Sequence, residues 1–194
     1  LKQIQKEEWK MTKEVFKNGV NVTQLLNTID QIDYNPEVAT FAYRADNTWL
    51  GGTRSEAVVK DYYGALKEEK NREPQIIDMD EVEDLLGGGK QVSPAELLLV
   101  SLSGCFTKTL VTKAASRDID LKSVRSWYEG EIDMRGSLGV ADDVDPGYQS
   151  IHIDLVIDAD IPADQKQELV DLAKRYSPVY NTISRSVPIT VELH

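Results

Sequence analysis

One segment constrains this chain more than any other: between Ser93 and about Arg117, apolar residues point in nearly every direction around a single helical axis. Ser93, Pro94 and Glu96 form a start signal, with serine as N-cap, proline in the first helical position and glutamate three residues after the cap. From Leu97 to Leu102 the sequence is almost wholly apolar, and Phe106, Leu110, Val111, Ala114 and Ala115 continue the pattern. A helix apolar on most of its circumference has to be covered on most sides. The rest of the chain is therefore predicted to wrap it.

The flanking segments supply the wrapping. Val124 to Asp133 and Tyr148 to Ile157 alternate with a period of two and read as strands, separated by a Gly- and Asp-rich loop from Gly136 to Gly147. Ile161 to Ala163 opens a helix through Leu169, Leu172 and Ala173, which Ser177-Pro178 breaks. A shorter helical piece runs on to Ile183, with Ser177 as its cap, and Val187 to Val191 is predicted as a closing strand.

On the N-terminal side, Leu1 to Lys17 shows loose helical spacing stopped by Asn18-Gly19, and Leu25, Leu26, Ile29 and Ile32 mark a second helix stopped by Asn35-Pro36. Thr40 to Arg44 and Arg54 to Tyr62 are predicted to form a hairpin with Trp49 to Gly52 as its turn. Gln75 to Ile77 reads as a short strand, and Asp78 to Asp84 as a solvated acidic loop. This order predicts an α+β fold: a helical extension over residues 1–18 and a single domain over 19–194.

Charge and cysteine content narrow the function. The formal net charge of -11 repels nucleic acid and anionic membrane, so neither is an expected partner. No apolar run looks long enough to span a bilayer, and no secretory signal is read. The single cysteine, Cys105, rules out an internal disulfide and fits a reducing cytoplasm.

A thiolate is a strong nucleophile, which makes Cys105 the first candidate for chemistry; a free cysteine is also a common core residue. Cys105 lies about 17 Å along its helix, too far for the N-terminal dipole to act on it. Activation has to come from another side chain. Arginine suits the task because it stays charged and can donate to a peroxide oxygen, and Arg44 and Arg54 belong to the early hairpin. His152 and His194, the only histidines, offer no metal pair or Cys-His dyad. Gly87 to Lys90 lacks the spacing of a phosphate-binding loop, and the acidic run lacks the central glycine of a calcium loop. No metal or organic cofactor is expected.

Ser93 to Leu99 followed by Leu102-Ser103-Gly104-Cys105 resembles the cysteine helix of the OsmC/Ohr family. Trp49 with Gly52-Thr53-Arg54, Asp61 to Gly64, Gly130 to Gly136, Gly147-Tyr148-Gln149 and Ser177 to Tyr180 extend the resemblance towards the OsmC-like branch. It implies antiparallel sheets wrapped around a long buried central helix in an intertwined homodimer. It also implies reduction of small hydrophobic hydroperoxides by Cys105, assisted by Arg54 or Arg44, with an external thiol as reductant. The alternative within the same family is a non-enzymatic protein that binds a small molecule or reactive sulfur species. Two positions depart from the family pattern. Ser177 stands where a second cysteine would resolve the oxidised thiol, and Ala95 stands where an assisting glutamate would follow the proline.

Overall fold

A computed structural model describes residues 14–193. Its first elements are two very short strands, β1 (Phe16–Lys17) and β2 (Val20–Asn21), joined by Asn18 and Gly19, both with positive φ. Residues 1–13 of the expected first helix lie outside the described residues, and its last two residues are strand instead. The reason is long-range: Asn18 exchanges hydrogen bonds with the backbone of Ile119 and Leu121, at 2.8 and 2.9 Å, and Lys17 pairs with Asp118 and Asp120.

Helix α1 (Val22–Tyr34) follows with Asn21 as N-cap and ends before Pro36, as its sequence predicts. None of its residues is buried.

Two three-stranded antiparallel sheets come next. One has the order β3 (Phe41–Tyr43), β6 (Tyr62–Gly64), β7 (Lys67–Glu69); the other has the order β4 (Asp46–Gly51), β5 (Arg54–Val59), β8 (Gln75–Met79). The early hairpin differs from expectation. Trp49 and Leu50 belong to β4, which runs to Gly51 opposite Arg54, so the reversal falls at Gly52-Thr53; Gly51 and Gly52 lead into it with φ values of +107° and +61°, open to residues without a Cβ. Within the expected strand Thr40 to Arg44, Phe41–Tyr43 pairs instead with β6, with Tyr43 opposite Tyr62. Lys67 to Glu69, charged in sequence, is a strand because it has an edge to pair with.

Helix α2 (Pro94–Ala115) carries the full capping box: Ser93 Oγ accepts from Glu96 N at 3.2 Å, and Glu96 Oε2 accepts from Ser93 N at 2.8 Å. By length and mean hydropathy this helix could cross a membrane, contrary to the expectation that no run approaches that length. It is a core helix instead, packed on β9 (Ser123–Ile132), α4 (Ala163–Tyr176) and α5 (Pro178–Ile183). A one-turn helix, α3 (Met134–Ser137), follows β9 and precedes β10 (Tyr148–Asp158), which pairs antiparallel with β9 along its length. Phe106, Leu110, Ala114, Ile157, Ala159, Leu169 and Ala173 form the core.

The expected closing strand is absent: Val187 to Val191 joins no ladder among the described residues, and a strand forms only where another strand offers its backbone groups. The architecture is α+β with antiparallel sheets and one long helix, as the sequence implied.

Candidate functional site

At 100° per residue, the buried positions of α2, Leu102, Phe106, Thr109 and Leu110, form one stripe, while exposed Ser101, Gly104 and Lys108 form another. Cys105 falls on the border between them and is partly buried. One flank of Cys105 therefore borders the buried stripe and the other the exposed stripe.

The side chain that meets the sulfur is Ser177, whose hydroxyl donates to Cys105 Sγ at 3.3 Å. Ser177 is fully buried, and its Oγ also accepts from Tyr180 N, so it caps α5 as the sequence predicted. The α4–α5 break thus does two jobs, ending one helix and aiming a hydroxyl at α2. The Tyr180 ring packs against Phe106 at 5.9 Å between centroids, which holds α5 against the cysteine helix.

One helical turn before Cys105, Leu102 lines a cavity of about 180 Å³ with Ile151, Ile153, Tyr180, Ile183 and Ser184. Its walls are mostly apolar, a match for a hydrocarbon group. A wider groove of about 550 Å³ lies along the other flank of α2, beside Gly104, Lys108, Val111 and Tyr128. Burial raises the Tyr128 phenol above its ordinary pKa, and the neighbouring Ser126 hydroxyl offsets part of that rise.

Neither candidate arginine meets the sulfur within one chain. Arg44 is gripped by Glu68 through two hydrogen bonds of 2.8 and 2.9 Å. The Glu68 carboxyl is held below its ordinary pKa by that guanidinium. Arg54 opens β5 and is exposed, adding its charge to the environment of Asp80.

Asp80 corrects the reading of residues 78–84 as a solvated loop. It is 2% exposed and accepts from Thr53 Oγ1 at 2.5 Å, Gly88 N at 2.8 Å and Glu81 N at 2.9 Å. The Thr53 hydroxyl first, then the Gly88 amide, hold its carboxyl below the usual range. This carboxylate ties the β5 edge, where Arg54 sits, to the loop that leads into α2. Sequence reasoning missed it because one buried acid among several exposed ones has no local signature.

Tyr148 was singled out in the sequence as part of Gly147-Tyr148-Gln149, but its contact with the start of α2 was not read. Its hydroxyl donates to Ala95 O at 2.8 Å, and its ring lies over Gly130, where a Cβ would meet it at 2.3 Å. Burial, and then the charge of Glu96, raise its phenol pKa. A tyrosine facing a strand glycine was the available signal.

A family model described as OsmC-like protein matches residues 87–192, more than half of the chain and all of the cysteine site. The chain belongs to the OsmC-like protein family. No curated protein is similar enough in sequence to match. Among solved structures, an OsmC-like protein from Mycoplasma pneumoniae superposes with a TM-score of 0.55 at 16% identity, covering 75% of this chain and 89% of its own. A Legionella pneumophila protein named as organic hydroperoxide resistance protein OsmC superposes with a TM-score of 0.51 at 18% identity, covering 75% and 90%. At these identities the likeness establishes the OsmC-like fold.

Proposed function

We propose that this protein reduces organic hydroperoxides through Cys105, working as a homodimer with an external thiol as reductant. The observation that carries the reading is the only thiol of the chain, set at the edge of the core, hydrogen-bonded by a buried hydroxyl and one turn from a small apolar cavity. Family membership supports it. In the reaction the Cys105 thiolate attacks the distal peroxide oxygen, the O–O bond breaks, and the alkoxide leaves and takes a proton as an alcohol. The sulfur is left as a sulfenic acid. An external thiol condenses with it, releasing water, and a second thiol displaces the mixed disulfide to restore Cys105. This cycle belongs in a reducing compartment such as the cytoplasm.

The homodimer reading draws support from surfaces the single chain leaves open. Although α2 is strongly apolar, 22% of its most apolar window is buried, and Leu98 and Val100 are exposed. Phe41, Trp49, Leu50 and Ile76 are exposed on the two three-stranded sheets. A second copy would cover these faces, and Arg54 of one copy is then the natural guanidinium for the cysteine of the other.

The test is consumption of cumene hydroperoxide with dithiothreitol present. The wild-type protein is expected to turn over and Cys105→Ser to fall to the uncatalysed rate; equal rates in the two would remove the proposal. The pairing of Arg44 with Glu68 and the place of Arg54 beside Asp80, among the described residues of one chain, favour the second reading, a small-molecule binding protein of the same family, whose ligand binding would survive Cys105→Ser.

A further inference from the structure

A cavity of about 400 Å³ opens between the loop that leads into α2 and the turn that follows β9. Leu85, Leu86, Met134 and Leu138 wall it, and Glu81 and Asp84 bring two carboxylates to it. None of these residues lines the cavity beside Leu102 or the groove beside Gly104. We propose that this is a second binding site, for a small amphiphile with an apolar body and a protonated amine at one end. It goes beyond the thiol chemistry of Cys105 and does not depend on it.

The apolar body follows from two leucines. Leu86 is 90% exposed and holds a φ of +70°, a left-handed backbone that bulky side chains rarely adopt. Leu138, across the cavity, is 65% exposed. Both line the cavity instead of the core, so an entering molecule gains by covering them. Met134 beside them has an unbranched thioether that adapts to the shape it touches. A volume of this size with apolar walls and a few polar groups is the usual make-up of a small-molecule site.

The walls stand before any ligand arrives. Leu86 N donates to Glu83 O and Gly87 N to Val82 O, both at 3.1 Å. At Gly87 a Cβ would meet Glu81 O at 1.7 Å, so the loop closes this tightly only around a glycine. The buried Asp80 carboxylate accepts from Gly88 N and from Thr53 Oγ1, which fastens the loop to the end of β5. On the other wall Leu138 N donates to Met134 O at 2.9 Å and Val140 N to Arg135 O at 2.8 Å. A preformed cavity spares the ligand the cost of ordering two loops.

Charge sets the other end of the ligand. Residues 76–89 hold five acidic residues and no basic one, and Arg135 is the sole basic residue from 133 to 147. Its guanidinium is engaged by Asp133. Among the described residues, no lysine or arginine pairs with Glu81 or Asp84. A protonated amine therefore meets two unpaired carboxylates, whereas an anionic head is repelled.

Titration calorimetry with phenylbutylamine, phenylbutanol and phenylbutyrate, which share one apolar body, reads the two ends of the ligand separately. Wild type and Cys105→Ser are expected to bind the amine alike, the alcohol about threefold more weakly and the acid more weakly still. Added salt should narrow the gap between amine and alcohol. Glu81→Gln with Asp84→Asn should close that gap. Leu86→Ser with Leu138→Ser should weaken amine and alcohol alike by about tenfold, and thermal unfolding should show its fold intact because both leucines are exposed. Equal affinity for acid and amine, or undiminished amine binding in the leucine variant, would overturn the proposal. No amine binding by wild type would overturn it as well, and a leucine variant that then sediments as monomer where wild type is a dimer would name a second copy as the occupant. A protein that binds the amine but ignores hydroperoxide would uphold this site and remove only the thiol reading.

Discussion

The two halves of the chain are built on different terms. Among the described residues, every buried apolar side chain lies between Leu102 and Ala173, where α2, β9, β10 and α4 close on one another. From β1 to Asp80, just past β8, the described residues bury no apolar side chain; what they bury is Gly64 and the carboxylate Asp80. No strand of the two three-stranded sheets packs extensively on α2, β9, β10, α4 or α5. The C-terminal half therefore owns a core, whereas the N-terminal half owns ladders and one polar knot. Ladders alone leave a small sheet marginal in water, so the difference sets a half stabilised by side-chain packing beside one stabilised chiefly by strand pairing and the Asp80 hydrogen bonds.

The largest effect that tests this contrast is a cavity in the core. Leu110→Ala, at a fully buried position, is expected to cost about 2–5 kcal/mol in urea unfolding. Ile76→Ala, at an exposed position of β8, should change the stability of a lone chain by about 0.5 kcal/mol or less. If a second copy covers β8, the Ile76→Ala cost will instead vary with protein concentration. A large Ile76→Ala cost that is the same at every concentration would break the comparison, because the N-terminal half would then have a core of its own.

Next in size is Gly130→Ala. Its new Cβ would meet the Tyr148 ring at 2.3 Å, so the ring has to leave and the bond to Ala95 O goes with it. The expected cost is about 1–3 kcal/mol, read by thermal unfolding, and a Tyr148→Phe background should reduce the added penalty little, since the clash is with the ring. Ser93→Ala removes half of the capping box and should cost about 1 kcal/mol, with Ser93→Asp recovering most of it.

The smallest expected effect is on the acid limb. Arg135, by its side chain first and its backbone amide second, lowers the Asp133 carboxyl to about 2 from an ordinary 3.8. A depressed carboxyl stabilises the fold above its unfolded pKa, and that contribution is lost as pH falls towards the folded value. Asp133→Asn should therefore flatten the fall in stability between about pH 4 and pH 2. Asp80 is shifted in the same direction in the other half, so Asp80→Asn should flatten the same limb; a steeper limb in either variant would contradict the assignment.

Much of the C-terminal half was legible because its signals are local. The capping box at Ser93 and Glu96, the alternation from Val124 to Asp133 and from Tyr148 to Ile157, and the Ser177-Pro178 break each appear where the residues predicted them. The N-terminal half was read less well, since short strands such as Lys67–Glu69 are defined by the neighbour they pair with. The same reason explains the closing segment: alternation at Val187 to Val191 marks a strand-like face, but a strand exists only beside another strand.

By itself, the sequence determined the long apolar helix, its start, its one thiol and the α+β class, because capping, periodicity and composition act over a few residues. Only the tertiary structure decided that Ser177, 72 positions away in the chain, reaches Cys105, that Asp80 is buried among its acidic neighbours, and that Arg44 answers to Glu68. Those contacts depend on where separate elements come to rest, and packing a shared core sets that position in ways no local pattern records.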